Sequence, residues 1–233
     1  MNFLQLCQAT ALESGTVAGV PNITSVAGAT GRVLQVTGWV RDAYIDIQNE
    51  RNDWLWMRRS FVSTPLVIND NRYSASDLGI TNFGSWLYDI PAEGWRNLSL
   101  YETGLQEQEG ELYQIEYMGF RERYLRRTHT ANRPTEWSIS PQNELLLGVK
   151  PDKAYIVQGE YRQKPQELAL DADVPEMPAA YHRLIIGEAI RLMARSDEAF
   201  QVLAEKSQQY ERLRHPLVNE QTPKMSFGGG TFA

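Results

Sequence analysis

Apolar residues recur every three or four positions in two stretches near the start of the chain, which is the pattern of amphipathic helices. The first stretch begins at Phe3, and Gly15 is placed to end it in a left-handed conformation. The second begins near Arg32 and ends between Asn49 and Asp53. The apolar positions of the two predicted helices are Phe3, Leu4, Cys7, Ala11 and Leu12, followed by Val33, Val36, Val40, Tyr44 and Ile47.

From Trp54 the pattern changes to short runs of aromatic and β-branched residues. Turn signals such as Asn69-Asp70-Asn71 and Pro151-Asp152 separate these runs. Polar and apolar residues alternate in part of them, which is typical of an antiparallel sheet with one solvated face. The predicted strands are 60–68, 86–90, 95–101, 112–118, 136–140, 145–149 and 154–161.

Helical periodicity returns after Pro165, where Leu184, Ile185 and Met193 belong to a broad apolar stripe. A further helix is predicted to begin at Ser196 and to end at Pro216, because proline interrupts a helix. The last residues, 219–233, show no periodicity and are expected to be extended.

These elements predict an α+β fold. Two separate helix pairs would each leave an apolar side in water, so we expect all four helices to pack together. The predicted arrangement is a four-helix bundle-like domain from residues 1–57 and 166–218 with an inserted antiparallel β-rich, sandwich-like domain at 58–165. An extended C-terminal tail at 219–233 completes it.

Composition limits the functions open to this chain. Its 233 residues are 42% hydrophobic and 22% charged, which excludes a disordered tail-like protein. The 23 Lys and Arg against 29 Asp and Glu give a net charge of −6, so the surface as a whole does not suit nucleic acid. The single cysteine, Cys7, is interpreted as a small buried residue, and no apolar run approaches the ~20 residues that span a membrane.

One segment departs from the acidic balance. Residues 119–133, here called the arginine segment, hold five arginines and one glutamate, a local charge of +4. Arginine binds phosphate through two parallel hydrogen bonds, and Tyr124 could stack on a base. Alternatively the arginines pair with acidic groups, either on a neighbouring subunit or on Glu107, Glu109 and Glu111. The candidate residues for subunit or DNA-channel contact are Arg121, Arg123, Arg126, Arg127 and Arg133.

Two other groups of residues suggest alternative functions. Trp86, Trp95 and Trp137 lie in or beside predicted strands, where they form either the sheet core or a platform for sugars, as in a carbohydrate-binding β-sandwich module on a helical base. Asp171, Asp173 and Glu176 offer oxygen ligands for a divalent cation, although a solvated acidic linker before the following helix is the preferred interpretation. The three histidines are far apart, so no zinc motif exists, and neither an enzyme nor a cofactor is expected.

The whole pattern resembles the head-to-tail adaptor proteins of short-tailed phages and related prophages. The resemblance is carried by the order of helices and β-rich insertion and by five motifs: residues 1–8 (MNFLQLCQ), 26–31 (VAGATG), 39–48 (WVRDAYIDIQ), 53–58 (DWLWMR) and 181–185 (YHRLI). It covers most of the chain, and its motifs are structural.

The resemblance implies a structural, non-enzymatic virion protein. Such adaptors form rings, typically of twelve copies, between the portal protein and the tail nozzle or tail fibre proteins, and double-stranded genome DNA passes through the ring without specific binding. It further implies assembly in the host cytoplasm, a place in the virion neck and no contact with membrane. The residues of the tail that are candidates for portal contact are Met225, Phe227 and Phe232.

Overall fold

The computed structural model of the chain describes residues 1–15, 23–90, 94–197 and 209–223. In chain order, its helices are α1 (Phe3–Ser14), α2 (Gly31–Asn49), α3 (Tyr117–Phe120), α4 (His182–Ser196) and α5 (Arg214–Gln221). Its strands are β1 (Arg58–Val62), β2 (Arg72–Tyr73), β3 (Phe83–Trp86), β4 (Ser99–Glu102), β5 (Leu105–Glu111), β6 (Tyr113–Gln114), β7 (Glu136–Ile139), β8 (Leu145–Leu147) and β9 (Tyr155–Gln163). Helices and mainly antiparallel sheets occupy separate parts of the chain, which confirms the predicted α+β class.

The chain divides into two compact units. The helical unit consists of the described residues of Met1–Met57 and Pro165–Lys224 and contains α1, α2, α4 and α5. The sheet unit, Arg58–Lys164, contains the strands and α3. Each unit has its own cluster of buried apolar side chains.

Local capping explains where α1 begins and ends. The Asn2 side chain accepts a hydrogen bond from the Gln5 backbone N–H, and Gly15 closes the helix at a φ of 66°, as predicted. The placement of Leu12 on the buried side was wrong, because its side chain is 82% exposed. The last turn of α1 buries Thr10, Ala11 and Ser14 instead, which points Leu12 to solvent.

The core of the helical unit forms where α1 and α2 pack on α4. Just after α2, the buried Trp54 ring stacks on Trp56 with 4.2 Å between ring centroids. The Trp54 Nε1–H donates to the Ile47 carbonyl oxygen at 2.9 Å, which satisfies one of the carbonyls that the end of α2 leaves without a helical partner. Other buried residues of this core include Phe3, Leu6, Val36, Val40, Tyr44, Leu184, Ile185, Ala189 and Ile190.

Two expectations about the C-terminal region were wrong. Pro216 lies in the first turn of α5 rather than ending a helix, a position where its missing N–H would have no helical partner in any case. Residues Asn219–Gln221, predicted as part of an extended tail, belong to α5. The helix is held by Leu217, which is buried, and by Arg214. The Arg214 guanidinium pairs with Glu50 just after α2, with Glu188 of α4 and with Glu211 just before α5.

The sheet unit contains two sheets. In the five-stranded sheet the order is β1-β9-β4-β5, with β3 also pairing with β9, and the described pairs are antiparallel. In the four-stranded sheet the order is β2-β8-β7-β6, and β6 runs parallel to β7. The predicted antiparallel β-rich character is thus confirmed, and this pair is an exception among the described pairs, because β6 reaches β7 through a long connection rather than a hairpin.

A single asparagine joins the strands around β9. One side of β9 pairs with β1, and the other pairs first with β4 and then with β3. Asn97 lies before β4: its Nδ2 donates to the carbonyl oxygens of Leu87 and Glu160, and its Oδ1 accepts from the Glu160 N–H, at distances of 2.9–3.0 Å. The Asn97 side chain thus supplies the hydrogen bonds of the Glu160 backbone at the point of β9 between its pairing with β4 and its pairing with β3.

The predicted strands match the structure unevenly. The runs at 136–140, 145–149 and 154–161 correspond to β7, β8 and β9. The run at 112–118 contains only the two residues of β6 before α3 begins at Tyr117. Strand β5 was not predicted, since its sequence LQEQEGE is almost entirely polar and exposed.

Candidate interaction surface

The arginine segment forms a short helical projection on the four-stranded sheet. Glu116 caps α3 by accepting hydrogen bonds from the N–H groups of Met118 and Gly119. Beyond α3, residues Arg121–Leu125 continue as a wider π-helical turn, in which the Arg126 N–H donates to the Arg121 carbonyl oxygen. Residues 128–135 follow without helix or strand and lead to β7.

Three contacts fix this projection in place. The Phe120 side chain is fully buried, and its ring lies 5.1 Å from that of Tyr124. The Tyr124 hydroxyl donates to the Glu136 carboxylate at 2.5 Å, and Arg123 Nη1 donates to both oxygens of the same carboxylate at 2.5 and 2.7 Å. Glu136 opens β7, so one carboxylate connects the projection to the sheet.

The electrostatics of Glu136 favour its charged form. Burial raises the pKa of this carboxyl, but the Tyr124 hydrogen bond and the Arg123 guanidinium outweigh burial and hold the pKa below its usual value. Burial and the hydrogen bond to Glu136 raise the pKa of the Tyr124 phenol. The carboxylate and the neutral phenol therefore both persist at neutral pH, which keeps the projection anchored.

The five candidate arginines have different roles. Arg123 anchors the projection, and Arg133 Nη2 donates to the carbonyl oxygens of Leu100 and Gln108 at 2.8 and 2.7 Å, so both have contacts within the fold. Arg126 makes an exposed ion pair with Glu122. Within the part of the chain that the structure describes, Arg121 and Arg127 make no ion pair, and both are exposed.

Pairing of these arginines with Glu107, Glu109 or Glu111 of the same chain is not seen. The cations turn instead to Glu136, Glu122 and backbone carbonyls. Glu109 accepts hydrogen bonds from the Ser99 hydroxyl and the Gln158 amide, and among the described residues Glu107 and Glu111 have no ion pair. This alternative was therefore wrong for the single chain, because Arg123 and Arg126 pair with other glutamates and Arg133 reaches β5 only at a backbone carbonyl.

Sequence reasoning missed Glu136 and Gly148. A Cβ built on Gly148 would lie 2.8 Å from Cζ of the Tyr124 ring, so the glycine makes room for the ring that carries the anchoring hydroxyl. The sequence did contain a signal for Gly148, because a glycine inside a predicted strand often marks a place where another group packs closely against the backbone. Glu136 gave no such signal, since a polar residue at the start of a strand is ordinary.

We expect Gly148→Ala to loosen the arginine segment. The added methyl group displaces the Tyr124 ring and breaks its hydrogen bond to Glu136, at a cost of about 1–3 kcal/mol. Hydrogen exchange of peptides covering 117–130 measures the effect as faster exchange. Gly119→Ala is the matched control, since nothing lies within 4 Å of its Cβ, and equal exchange in both variants would refute the role given to Gly148.

The tryptophans do not form a sugar platform. Trp86 and Trp137 are buried in the core of the sheet unit, where no ligand can stack on them. Trp95 is only partly exposed, and the Arg58 guanidinium lies 5.6 Å from its ring centroid. The carbohydrate-binding alternative loses its basis, because core packing accounts for the rings that defined it.

The acidic group near residue 171 has a structural role. Asp171 accepts a hydrogen bond from the Val26 N–H, and Asp173 accepts from the N–H groups of Ala169 and Leu170, which hold the pKa of Asp173 below its usual value. Glu176 donates its own N–H to the Tyr44 hydroxyl. No group of three or more His, Cys, Asp or Glu suited to a metal ion occurs among the described residues.

Cys7 is buried, and burial raises its thiol pKa to about 12, which leaves it protonated. A groove of about 620 Å³ in the helical unit is lined by charged residues that include the Glu188–Arg214 pair. Helices in the described ranges are all too short or too polar to cross a membrane. Met225, Phe227 and Phe232 lie outside the described residues.

The described residues thus define an α+β protein whose unusual charges are carried on a fixed, exposed projection. A sequence model of the SU10 adaptor protein family matches residues 1–227, and the chain belongs to this family. The resemblance to phage head-to-tail adaptors is confirmed by this match. Family membership indicates a structural role as a phage adaptor. No curated protein matches the chain.

Proposed function

We propose that the chain is a structural virion protein, a head-to-tail adaptor that forms a twelve-membered ring beneath the portal. The ring joins the portal to the tail nozzle and continues the DNA channel, and DNA passes through it without specific binding. The protein is assembled in the host cytoplasm and acts in the virion neck. The family match over residues 1–227 is the observation that carries this proposal.

Charge supports a channel-lining role. Each phosphate that a protein neutralises adds salt-dependent affinity, so a channel that must release DNA benefits from few accessible cations. The net charge of −6 fits this requirement, and Arg123 and Arg133 are engaged within the fold. Arg121, Arg126 and Arg127 remain for contacts with a neighbouring subunit or with DNA.

The proposed parts of the adaptor follow the chain. The adaptor core consists of residues 1–57 and 166–218, which together form a four-helix bundle. The sandwich-like domain consists of residues 58–165. The tail, predicted as 219–233, begins only after α5, which ends at Gln221. Within the tail, Met225, Phe227 and Phe232 supply apolar side chains for contact with the portal.

Binding to the portal tests the proposal. Purified chain is mixed with the portal assembly of the same phage, and electron micrographs are expected to show a ring of twelve copies on the portal. A variant ending at Thr222 should lose attachment, because its portal-contact residues are absent. Failure of the full chain to bind the portal would refute the adaptor role.

A second variant separates the tail from the rest of the adaptor. Replacing Met225, Phe227 and Phe232 by serine keeps the length of the tail but removes its apolar groups, so we expect the same loss of attachment. Normal attachment of this variant would show that the portal contact lies elsewhere. The wild-type ring should shift double-stranded DNA only weakly in an electrophoretic assay at physiological salt.

A further inference from the structure

Two cations on the arginine segment face solvent without an acidic partner. Arg121 and Arg127 are exposed, and in the described ranges neither makes an ion pair. The Tyr124–Glu136 hydrogen bond and the buried Phe120 ring hold the segment that carries them. Since the segment is already fixed, little conformational freedom of the backbone is lost when these arginines bind a partner.

An acidic edge strand lies elsewhere on the same unit. Strand β5 is the last of its sheet, pairing with β4, and its residues from Gln106 to Glu109 are all exposed. Glu111 is opposite Ser99, and Glu109 accepts from the Ser99 hydroxyl, so these two glutamates share a face. Glu107 and Glu111 have no ion pair among the described residues.

No ion pair joins the two charged surfaces among the described residues of one chain. Arg133, the part of the arginine segment that approaches β5, lies against Gly110, with its Nη2 3.1 Å from the position of a Cβ. Successive residues of a strand face opposite sides, so Gly110 and Glu111 point in opposite directions. Arg133 therefore reaches β5 on the face away from Glu109 and Glu111, and its contacts with β5 leave those glutamates without an arginine of the same chain.

We propose that Arg121 and Arg127 of one copy pair with Glu107 and Glu111 on β5 of a second copy. The proposal rests on the proposed function, since it assigns the contact between ring neighbours. The two surfaces differ, so the contact is heterologous: each copy offers one surface to each neighbour, and the rotation between copies closes a ring. Opposite charges on the two surfaces select the orientation of the neighbours.

Charge exchange between two variants tests this pairing. In Arg121→Glu with Arg127→Glu both surfaces are acidic, and in Glu107→Arg with Glu111→Arg both are basic. Each variant alone should associate roughly 100-fold more weakly than the wild type, because like charges then meet. An equimolar mixture should associate again, since every contact between unlike copies joins opposite charges. Sedimentation velocity over a concentration series measures all three.

A control variant excludes a simple effect of net charge. Lys164→Glu with Arg212→Glu changes the charge by the same amount at two exposed positions outside both surfaces, and wild-type association is expected. Raising the salt to about 0.5 M should weaken wild-type association, because exposed ion pairs are screened. Circular dichroism checks that every variant is folded.

Several outcomes would overturn the pairing. Association of either reversed variant at wild-type strength would mean that the glutamates only protect an edge strand from aggregation. Weak association that the mixture does not restore would mean that the two surfaces act with different partners. A wild type that stays monomeric at every concentration also contradicts it. Portal binding is measured separately, so a normal portal complex of the reversed variants would leave the adaptor role intact while the pairing fails.

Discussion

Trp54→Ala is expected to lower the free energy of unfolding of the helical unit by about 4 kcal/mol. The ring is fully buried and stacks on Trp56, so its loss leaves a cavity beside the end of α2. The Ile47 carbonyl oxygen also loses the Nε1–H that it accepts from. Urea unfolding followed by the helical circular dichroism signal, with hydrogen exchange of α2 peptides, measures the loss.

Two comparisons make this prediction specific. Trp54→Phe keeps most of the apolar contact but not the donor, so we expect roughly half the destabilisation. Trp39→Ala is the matched control in the same unit: this ring is only partly buried, with the Arg32 guanidinium 4.7 Å from its centroid, and about 1 kcal/mol is expected. Equal losses from Trp54→Ala and Trp39→Ala would contradict the role assigned to Trp54.

Asn97→Ala is expected to destabilise the sheet unit by about 3 kcal/mol. The substitution removes three hydrogen bonds of the buried Asn97 side chain and leaves the part-buried Glu160 N–H and two carbonyl oxygens without these partners. Because these bonds join the strands on either side of the gap, β3 and β4 should both exchange their amide hydrogens faster. Thermal unfolding and hydrogen exchange of peptides from β3, β4 and β9 report the change.

Asn82→Ala is the matched control for this effect. Asn82 is exposed, and its side chain donates one 3.3 Å hydrogen bond to Gln163, the last residue of β9. Its loss should cost less than 1 kcal/mol. Asn97→Asp keeps the acceptor for the Glu160 N–H but turns a carboxylate oxygen toward the Leu87 and Glu160 carbonyl oxygens, so a loss at least as large as that of Asn97→Ala is expected. A stability for Asn97→Ala close to that of Asn82→Ala would refute the bridging role.

The helices of the N-terminal half could be predicted because the signals are local. Apolar spacing and the glycine that stops α1 act within a few residues, so α1 and α2 lie where the pattern placed them. Leu12 shows the limit of this reasoning. Spacing alone does not say where the buried face turns at a helix end, because the neighbouring elements decide that.

The sheets were harder to predict, since pairing depends on residues far apart in the chain. β5 is polar because it lies at an edge, and an exposed edge strand carries no apolar alternation to detect. The parallel pairing of β6 with β7 is likewise invisible to a local pattern, which favoured hairpins. Pro216 is compatible with either the end or the first turn of a helix, and the sequence pattern alone does not distinguish the two positions.

Composition alone located the candidate surface but did not establish the role of each arginine in it. Five arginines in one segment indicate a charged surface. The same pattern is compatible with arginines that bind within the fold and with arginines that are exposed without an ion pair. The division depends on Glu136 and on the backbone carbonyls of Leu100 and Gln108, which the fold brings close from other strands. The roles of Arg123 and Arg133 differ from those of Arg121 and Arg127 only through contacts with residues distant in the sequence.

The parallel pairing of β6 and β7 has a consequence for how related chains can vary. Parallel neighbours require a crossover of roughly a dozen residues or more, and residues 115–135, which include the arginine segment, are that crossover. Deletions that shorten the crossover to a tight turn would prevent β6 from pairing in parallel with β7. Substitutions at exposed positions of the crossover would not affect this pairing. Evolution can therefore change the charge of this connection readily, while its length is constrained by strand direction.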